Sequence, residues 1–391
     1  MTESTEELRA TAQFQNPTRV VFGEGALQQV RDLIPEGRMV IVTSAGSTRR
    51  GLVDRVLRLV GEHRATVLDQ VTPNPEPPDL LRHLEAVPAD ANAVLVVGGG
   101  SVMDTGKILS ALAGRRRLGR ASGPLRELAR GGTVGRGESL DVFAVPTTAG
   151  TGSEVTPFAT VWDREVNRKA SVAGPGLFPR LAVVDPELTW TLPEAVTISS
   201  GLDALSQGLE AWWNRNAGPV TDAFALRAVS LALESLEPLA RNLEDRSLRS
   251  RMMAASLLSG LAISGTRTAI AHSISYPLTL HLGVPHGLAC AFTLPTVLEF
   301  NLRGADSRIS ELASSLGMTS AQQLADQLRE VLKALKVGTR LREYGLNSGQ
   351  IVELGPEMVT PGRADNNLRN VNGDQAVEIA LRSWNELAQT D

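Results

Sequence analysis

Short runs of branched apolar residues recur through the first half of the chain, separated by stretches with helical spacing, and near residue 190 they stop. MVIVTS (39–44), ATVLDQV (65–71) and ANAVLVVGGG (91–100) read as strands, and VFAVPTTAGTGSE repeats the strand-to-loop pattern. Between them, GLVDRVLRLVGEH (51–63), the segment opening with PEPPDLLRHLEAV, and SVMDTGKILSALAG read as helices, the last stopping at Gly114. Apolar strands alternating with helices specify a parallel sheet covered on both faces. Beyond LAVVDPELTWTLP (181–193) helical periodicity takes over, as in AVTISSGLDALSQGLEAWW, TDAFALRAVSLALESL and SLRSRMMAASLLSGLAISG. The expected architecture is an α/β dinucleotide-binding domain over residues 1–190 and an all-α domain over residues 191–391.

Composition narrows the function classes. The chain has 391 residues, 42% hydrophobic and 21% charged, which suits a soluble protein with a large core. A net charge of −4 argues against broad nucleic-acid binding. The polar start MTESTEELRATAQFQ has no apolar signal core and no window is long enough to cross a membrane, so a cytoplasmic location is expected. The single cysteine, Cys290, excludes a disulfide framework and a thiolate-rich metal site, and reads as a small core residue. The Arg- and Gly-rich stretch 115–138 reads as a solvated surface loop.

Two loops suit phosphate. VLVVGGGSVMDTGK runs from a buried strand through a glycine turn into a helix, so backbone N–H groups and the helix dipole can face an anion. It is not GxGxxG, and a plain tight turn would look the same. PTTAGTGSE (146–154) is a second small-residue loop at another strand end, and the pair together favours a nucleotide crevice. Three of the five histidines, His272, His281 and His286, fall in one otherwise apolar stretch. Asp203 and Gln207, at i and i+4, share a helix face. An Asp and two His from separate helices can converge on a divalent metal, although each alone has an ordinary structural reading.

GGGSVMDTGK, PTTAGTGSEVT, GLDALSQGLEAW and HSISYPLTLHLGVPHG, in this order and spacing, resemble the signature segments of the iron-containing (group III) alcohol dehydrogenases. FQNPTRVVFGEGAL and LFPRLAVVDPELT resemble that family too, so the likeness spans nearly the whole chain. It implies hydride transfer between an aldehyde and a nicotinamide cofactor, with the metal in the cleft between two domains. Carried over, Gly98, Gly99, Gly100, Ser101 and Asp104 of the first loop, Thr147, Thr148, Thr151 and Ser153 of the second, and Lys169 bind the cofactor. Asp203, Gln207, His272 and His286 occupy the metal positions, with Fe2+ or Zn2+ as the ion.

Two departures stand out. Gln207 replaces a family histidine, and an amide oxygen binds a soft divalent metal more weakly than imidazole does. Tyr276 stands where the family often has a second histidine, and its phenol could hydrogen-bond substrate or relay a proton. His281 reads as a surface residue. Within the family, HSISYPLT with GLEAWWNRN looks most like the members that reduce phosphonoacetaldehyde to 2-hydroxyethylphosphonate. A phosphonate needs fixed cations, and Arg267, five residues before His272, is preferred over Arg215. VTSAGSTRRG after the second strand holds Ser44, Arg49 and Arg50 and no acid, so NADPH is expected, with NADH the alternative. The family is often dimeric, and a homodimer is expected on that ground alone. A general aldehyde or diol dehydrogenase, a dehydroquinate-synthase-like lyase and a non-catalytic nucleotide-binding module are the competing readings.

Overall fold

The alternating apolar runs assemble into one parallel sheet. The computed structural model describes residues 13–119, 128, 132–166, 168–304 and 306–390, so much of the Arg- and Gly-rich loop lies outside the described residues. The strands are β1 (Arg19–Phe22), β2 (Met39–Val42), β3 (Ala65–Leu68), β4 (Ala93–Gly98), β5 (Asp141–Pro146), β6 (Phe158–Asp163), β7 (Arg168–Ala173) and β8 (Leu181–Val184). Six of them pair in the order β1-β8-β5-β4-β2-β3, all parallel. Successive side chains face opposite sides of a strand. Met39, Ile41, Leu95, Val97 and Phe143 accordingly enter one core, and Val40, Val42, Val94, Val96 and Ala144 enter another.

Among the helices of this domain are α1 (Leu52–Val60), α2 (Pro77–Glu85) and α3 (Gly100–Arg117). Helix α3 continues past Gly114, the expected stop. A Cβ at Gly114 would collide with the backbone of Glu138 and Ser139, so this glycine admits a crossing chain segment instead of ending the helix. From β2 the chain steps outward to β3 and then crosses to β4 on the other side of β2. That reversal makes the crevice beyond the C-terminal ends of β2 and β4 the place where such sheets bind ligands. The Thr43 hydroxyl of the β2 end donates to the Val97 carbonyl at 2.6 Å and ties the two ends together.

The pair β6–β7 was not anticipated from the sequence. It is an antiparallel hairpin standing apart from the main sheet. Its residues Ala159, Val161 and Val172 pack on Ile108, Ala111 and Leu112 of α3.

After β8 ends at Val184 the chain becomes helical from Glu194 onward. The helices that matter here are α4 (Glu194–Trp212), α5 (Pro219–Arg241), α6 (Arg246–Thr266), α7 (Ile270–Leu282) and α8 (His286–Ala291). Helix α4 is buried from Gly201 through Trp212, including Asp203, Gln207 and Glu210. A helix buried on all sides is a central helix, and its polar residues must find partners inside the protein. No described helix is long and apolar enough to cross a membrane.

The two domains meet at bare backbone. Gly152, in the second glycine loop, has φ 57°, and a Cβ on Gly260 of α6 would lie 2.6 Å from the Gly152 Cα. Gly260→Ala is therefore expected to destabilise the protein by about 1–3 kcal/mol through overpacking. Thermal unfolding beside Gly373→Ala, whose Cβ meets nothing within 4 Å, checks this. Equal melting temperatures for the two variants would refute it.

Candidate active site

A cleft of about 560 Å³ opens between the domains, a size suited to a small-molecule ligand. At its floor stand Asp203 and Gln207 of α4, His272 of α7 and His286 at the start of α8. The four predicted metal positions thus come together from three helices. The backbone permits this because α8 lies directly on α4. A Cβ at Gly287 would overlap the Ser199 carbonyl oxygen and reach within 3.0 Å of the Asp203 nitrogen.

The donor atoms suit a cation. His272 Nε2 is 3.4 Å from Asp203 Oδ1. That Oδ1 is buried and accepts no hydrogen bond. An orphaned buried carboxylate oxygen is costly, and a bound metal ion removes the cost. Asp203, His272, His286 and Cys290 each offer an atom within 4.8 Å of the others. Cys290 is fully buried, as the sequence suggested, but its Sγ lies 3.7 Å from both ring nitrogens of His286, so it belongs to the site and not to an inert core. Burial alone would raise its thiol, but His272 and His286 bring it down to about 7. Gln207 turns its amide oxygen to the Ser259 hydroxyl at 3.0 Å.

Behind His272 sits a residue that sequence reading missed. Glu210 is fully buried, and its Oε2 lies 2.6 Å from His272 Nδ1. The same carboxylate accepts N–H bonds from Ala269 at 2.8 Å, Ala271 at 2.5 Å and His272 at 3.4 Å, closing the start of α7. A carboxylate on one imidazole nitrogen directs the other nitrogen at the metal position. Glu210 follows Asp203 by seven residues and so shares its helix face, which was the available signal.

The opposite wall is cationic. Lys169 of β7 places Nζ 3.4 Å from the centroid of the Tyr276 ring and 5.2 Å from that of Trp162. Arg363 donates from Nε to the Tyr276 hydroxyl oxygen at 3.1 Å and from Nη2 to the Ser171 hydroxyl at 3.0 Å. Neither cation forms a salt bridge with a carboxylate among the described residues. Burial and then the charge near Tyr276 act in opposite directions on Lys169, with burial winning and its ammonium lowered. For the Tyr276 phenol, burial acts upward, but Lys169, Arg363 and the two histidines pull it down to about 7.

Arg363 lines the cleft, and the two arginines expected from the sequence, Arg267 and Arg215, do not. Arg267 closes α6 in left-handed backbone, φ 63°, and its side chain is exposed outside the cleft lining. Nearness to His272 in sequence fails because the chain turns between α6 and α7. Arg215 is also exposed and donates to Leu368 O and Asn370 Oδ1. Arg363 sits in a loop about 90 residues beyond His272, and no periodicity marks it. His281 pairs with Glu357 at 2.9 Å on the surface.

Of the predicted cofactor residues, Gly100, Ser101, Asp104, Thr151, Ser153 and Lys169 line the cleft. Gly98, Gly99, Thr147 and Thr148 form the two turns behind it, where Thr147 N donates to Gly98 O at 3.0 Å. Ser44 stands at the N-terminal position of the short helical turn Ala45–Arg49 after β2, without a side-chain capping bond. Asp104 is half-buried, desolvation raises its carboxyl, and it accepts from Ser153 Oγ and Thr160 N. Lys107 was not singled out in the sequence. Its buried ammonium, lowered to about 8 by burial, donates to Ser153 Oγ, Thr156 O and Oγ1, and Phe158 O. It locks α3, the second loop and the hairpin into one unit.

Residues 17–186 match the iron-containing alcohol dehydrogenase family, and residues 197–384 match the Fe-containing alcohol dehydrogenase family C-terminal region. The chain belongs to this family, whose members are NAD(P)-dependent alcohol and aldehyde oxidoreductases. It is 42% identical over 229 residues to phosphonoacetaldehyde reductase of Streptomyces viridochromogenes, covering 57% of this chain and 56% of that protein. It is 30% identical over 353 residues to alcohol dehydrogenase 4 of Saccharomyces cerevisiae, covering 86% and 88%. The structure of sulfoacetaldehyde reductase from Bifidobacterium kashiwanohense in complex with NAD+ superposes with a TM-score of 0.87 at 28% identity, over 97% of this chain and all of that one (100%).

Glu210→Gln puts an amide N–H against a donor at His272 or the α7 amides. Metal affinity should fall about 10–100-fold, measured by competition with a chromophoric chelator. An unchanged affinity in a folded variant would exclude Glu210 from orienting the site.

Proposed function

We propose that this protein reduces phosphonoacetaldehyde to 2-hydroxyethylphosphonate and prefers NADPH. The observation that carries the reading is the pair Lys169 and Arg363, two cations without carboxylate partners among the described residues, on the wall opposite the Asp–His cluster. A substrate with an aldehyde at one end and a dianion one methylene away presents complementary features to these two poles. Similarity to reductases of phosphonoacetaldehyde and of sulfoacetaldehyde supports an anionic two-carbon aldehyde as the substrate class.

When bound, the nicotinamide supplies hydride to the aldehyde carbon, and a divalent cation held by Asp203, His272 and His286 supplies Lewis-acid polarisation of the carbonyl. The chain's own residues do the rest. Arg363 and Lys169 hold the phosphonate oxygens by charge-assisted hydrogen bonds. Holding that end fixes the aldehyde carbon relative to the cofactor, the positioning that makes the transfer effectively unimolecular. Tyr276 Oη, beside both cations, gives a proton to the developing alkoxide. Trp162, Phe158 and Ile263 exclude water from the same space.

The cofactor preference rests on the turn after β2. Ser44 Oγ lies 3.4 Å from Ser47 Oγ, and the Arg50 side chain folds back over Gly46. An acid does stand beside this turn: Asp69 accepts from Gln70 and Thr48 through its two oxygens, bonds that hold its carboxyl below the usual carboxylate range. The hydroxyls and Arg50 suit a 2′-phosphate, and Asp69 is the charge that opposes one.

Arg363→Met is expected to lower kcat/KM for phosphonoacetaldehyde at least about tenfold more than for an uncharged aldehyde of similar size, about 1.4 kcal/mol of selective transition-state binding. Equal losses on both substrates would withdraw the phosphonate and leave a general aldehyde reductase. In matched kinetics NADPH should exceed NADH in kcat/KM, and Arg50→Ala should cut the NADPH value about tenfold while sparing NADH. A preference for NADH in the unsubstituted enzyme removes the cofactor assignment.

A further inference from the structure

The donor set at the cleft floor differs from the one the family pattern implies. We propose that Cys290, in place of Gln207, is the fourth protein donor to the metal, and that its thiolate makes the centre selective for zinc over iron. The inference rests on the metal-assisted reading of this same site.

The Gln207 amide oxygen, the atom that could ligate, already accepts from the Ser259 hydroxyl at 3.0 Å. Cys290 has no such commitment outside the cluster. Its Sγ is 3.7 Å from each His286 ring nitrogen and within 4.8 Å of the donor atoms of Asp203 and His272. Bonds of about 2.0–2.3 Å from a tetrahedral ion place its ligand atoms about 3.3–3.8 Å apart, and the observed 3.4 Å and 3.7 Å separations fall in that span.

Two independent features make this more than a cysteine near a histidine. Asp203 Oδ1 is a buried acceptor with no partner, facing His272 Nε2 in the same cluster. Cys290 and His286 are i+4 and i on α8, so one helix face carries both. The close approach of Gly287 to Ser199 fixes that face against α4. Cys290 is fully buried behind the cleft, whose lining includes Asp203, His272 and His286.

Binding replaces the thiol proton with the metal: the S–H bond breaks, the proton leaves to solvent and the sulfur pair forms the metal bond. No redox partner is required. A thiolate favours zinc over ferrous iron, as does the general order of divalent affinities.

The test uses the full chain, stripped of metal and reloaded with cobalt(II) as a spectroscopic substitute for zinc. Because Cys290 is the only cysteine in the chain, a thiolate-to-cobalt charge-transfer band can come from no other residue. The expected result is one cobalt per chain with that band, retained in Gln207→Ala and lost in Cys290→Ser. Cys290→Ser should also bind zinc at least about tenfold more weakly, as loss of a donor implies. Anaerobic competition of zinc(II) against iron(II), read by metal analysis, should leave zinc bound. Cobalt bound by the unsubstituted protein without the band overturns the role of Cys290 and leaves the metal-assisted reading standing. Failure to bind cobalt, zinc or iron overturns both. Retention of iron over zinc overturns the selectivity. Because the deciding spectrum is that of the unsubstituted protein, misfolding of a variant does not obscure the result.

Discussion

The buried carboxylate of Glu210 is the interaction on which the functional half of the molecule depends. It holds three backbone N–H groups at the start of α7 and the His272 imidazole with the same two oxygens. Helix α7 begins in a fully buried position, where water cannot satisfy its first amides, so some internal acceptor must do so. By using a side chain from α4 for this, the fold couples helix initiation to the tautomer and direction of a site histidine. Stability and chemistry share one group, and neither can be altered alone.

The cleft has two electrostatic poles built by different means. At the floor, donor atoms converge around an unpartnered carboxylate oxygen, a cation-seeking arrangement. On the wall, Lys169 and Arg363 converge around Tyr276, an anion-seeking one. Both sit in low-dielectric surroundings where charge interactions are stronger than in water. The first domain contributes Lys169 and Ser171 from a hairpin outside the main sheet, and Lys107 anchors that hairpin's approach. The second domain contributes every donor atom at the floor.

Much of this could be read from the residues, and the failures have physical causes. The parallel sheet was legible because its central strands are buried on both faces and read as unbroken apolar runs. The β6–β7 hairpin was not, because FATVWDREVNRKASVA mixes charges with apolar residues and one side of it faces the cleft. Asp203, His272 and His286 stood out as scarce polar residues in apolar helices. Cys290 did not, since one cysteine means nothing until its neighbours in space are known. Arg267 was chosen for its closeness along the chain, which the turn at φ 63° makes irrelevant. Arg363 reaches the cleft through a loop distant in sequence, and only the packed structure brings it to Tyr276.

The Arg363 guanidinium spans the seam between the halves of the molecule, with Ser171 on one side and Tyr276 on the other. It works as a crossbar. Arg363 and Tyr276 belong to the same half, so the bond to Ser171 is the one that crosses the seam. A ligand anion competes for the same N–H groups, so loading the pocket exchanges protein partners for ligand oxygens. The side chain that joins the halves is thus also one that lines the cleft, so a change at Arg363 acts on both at once.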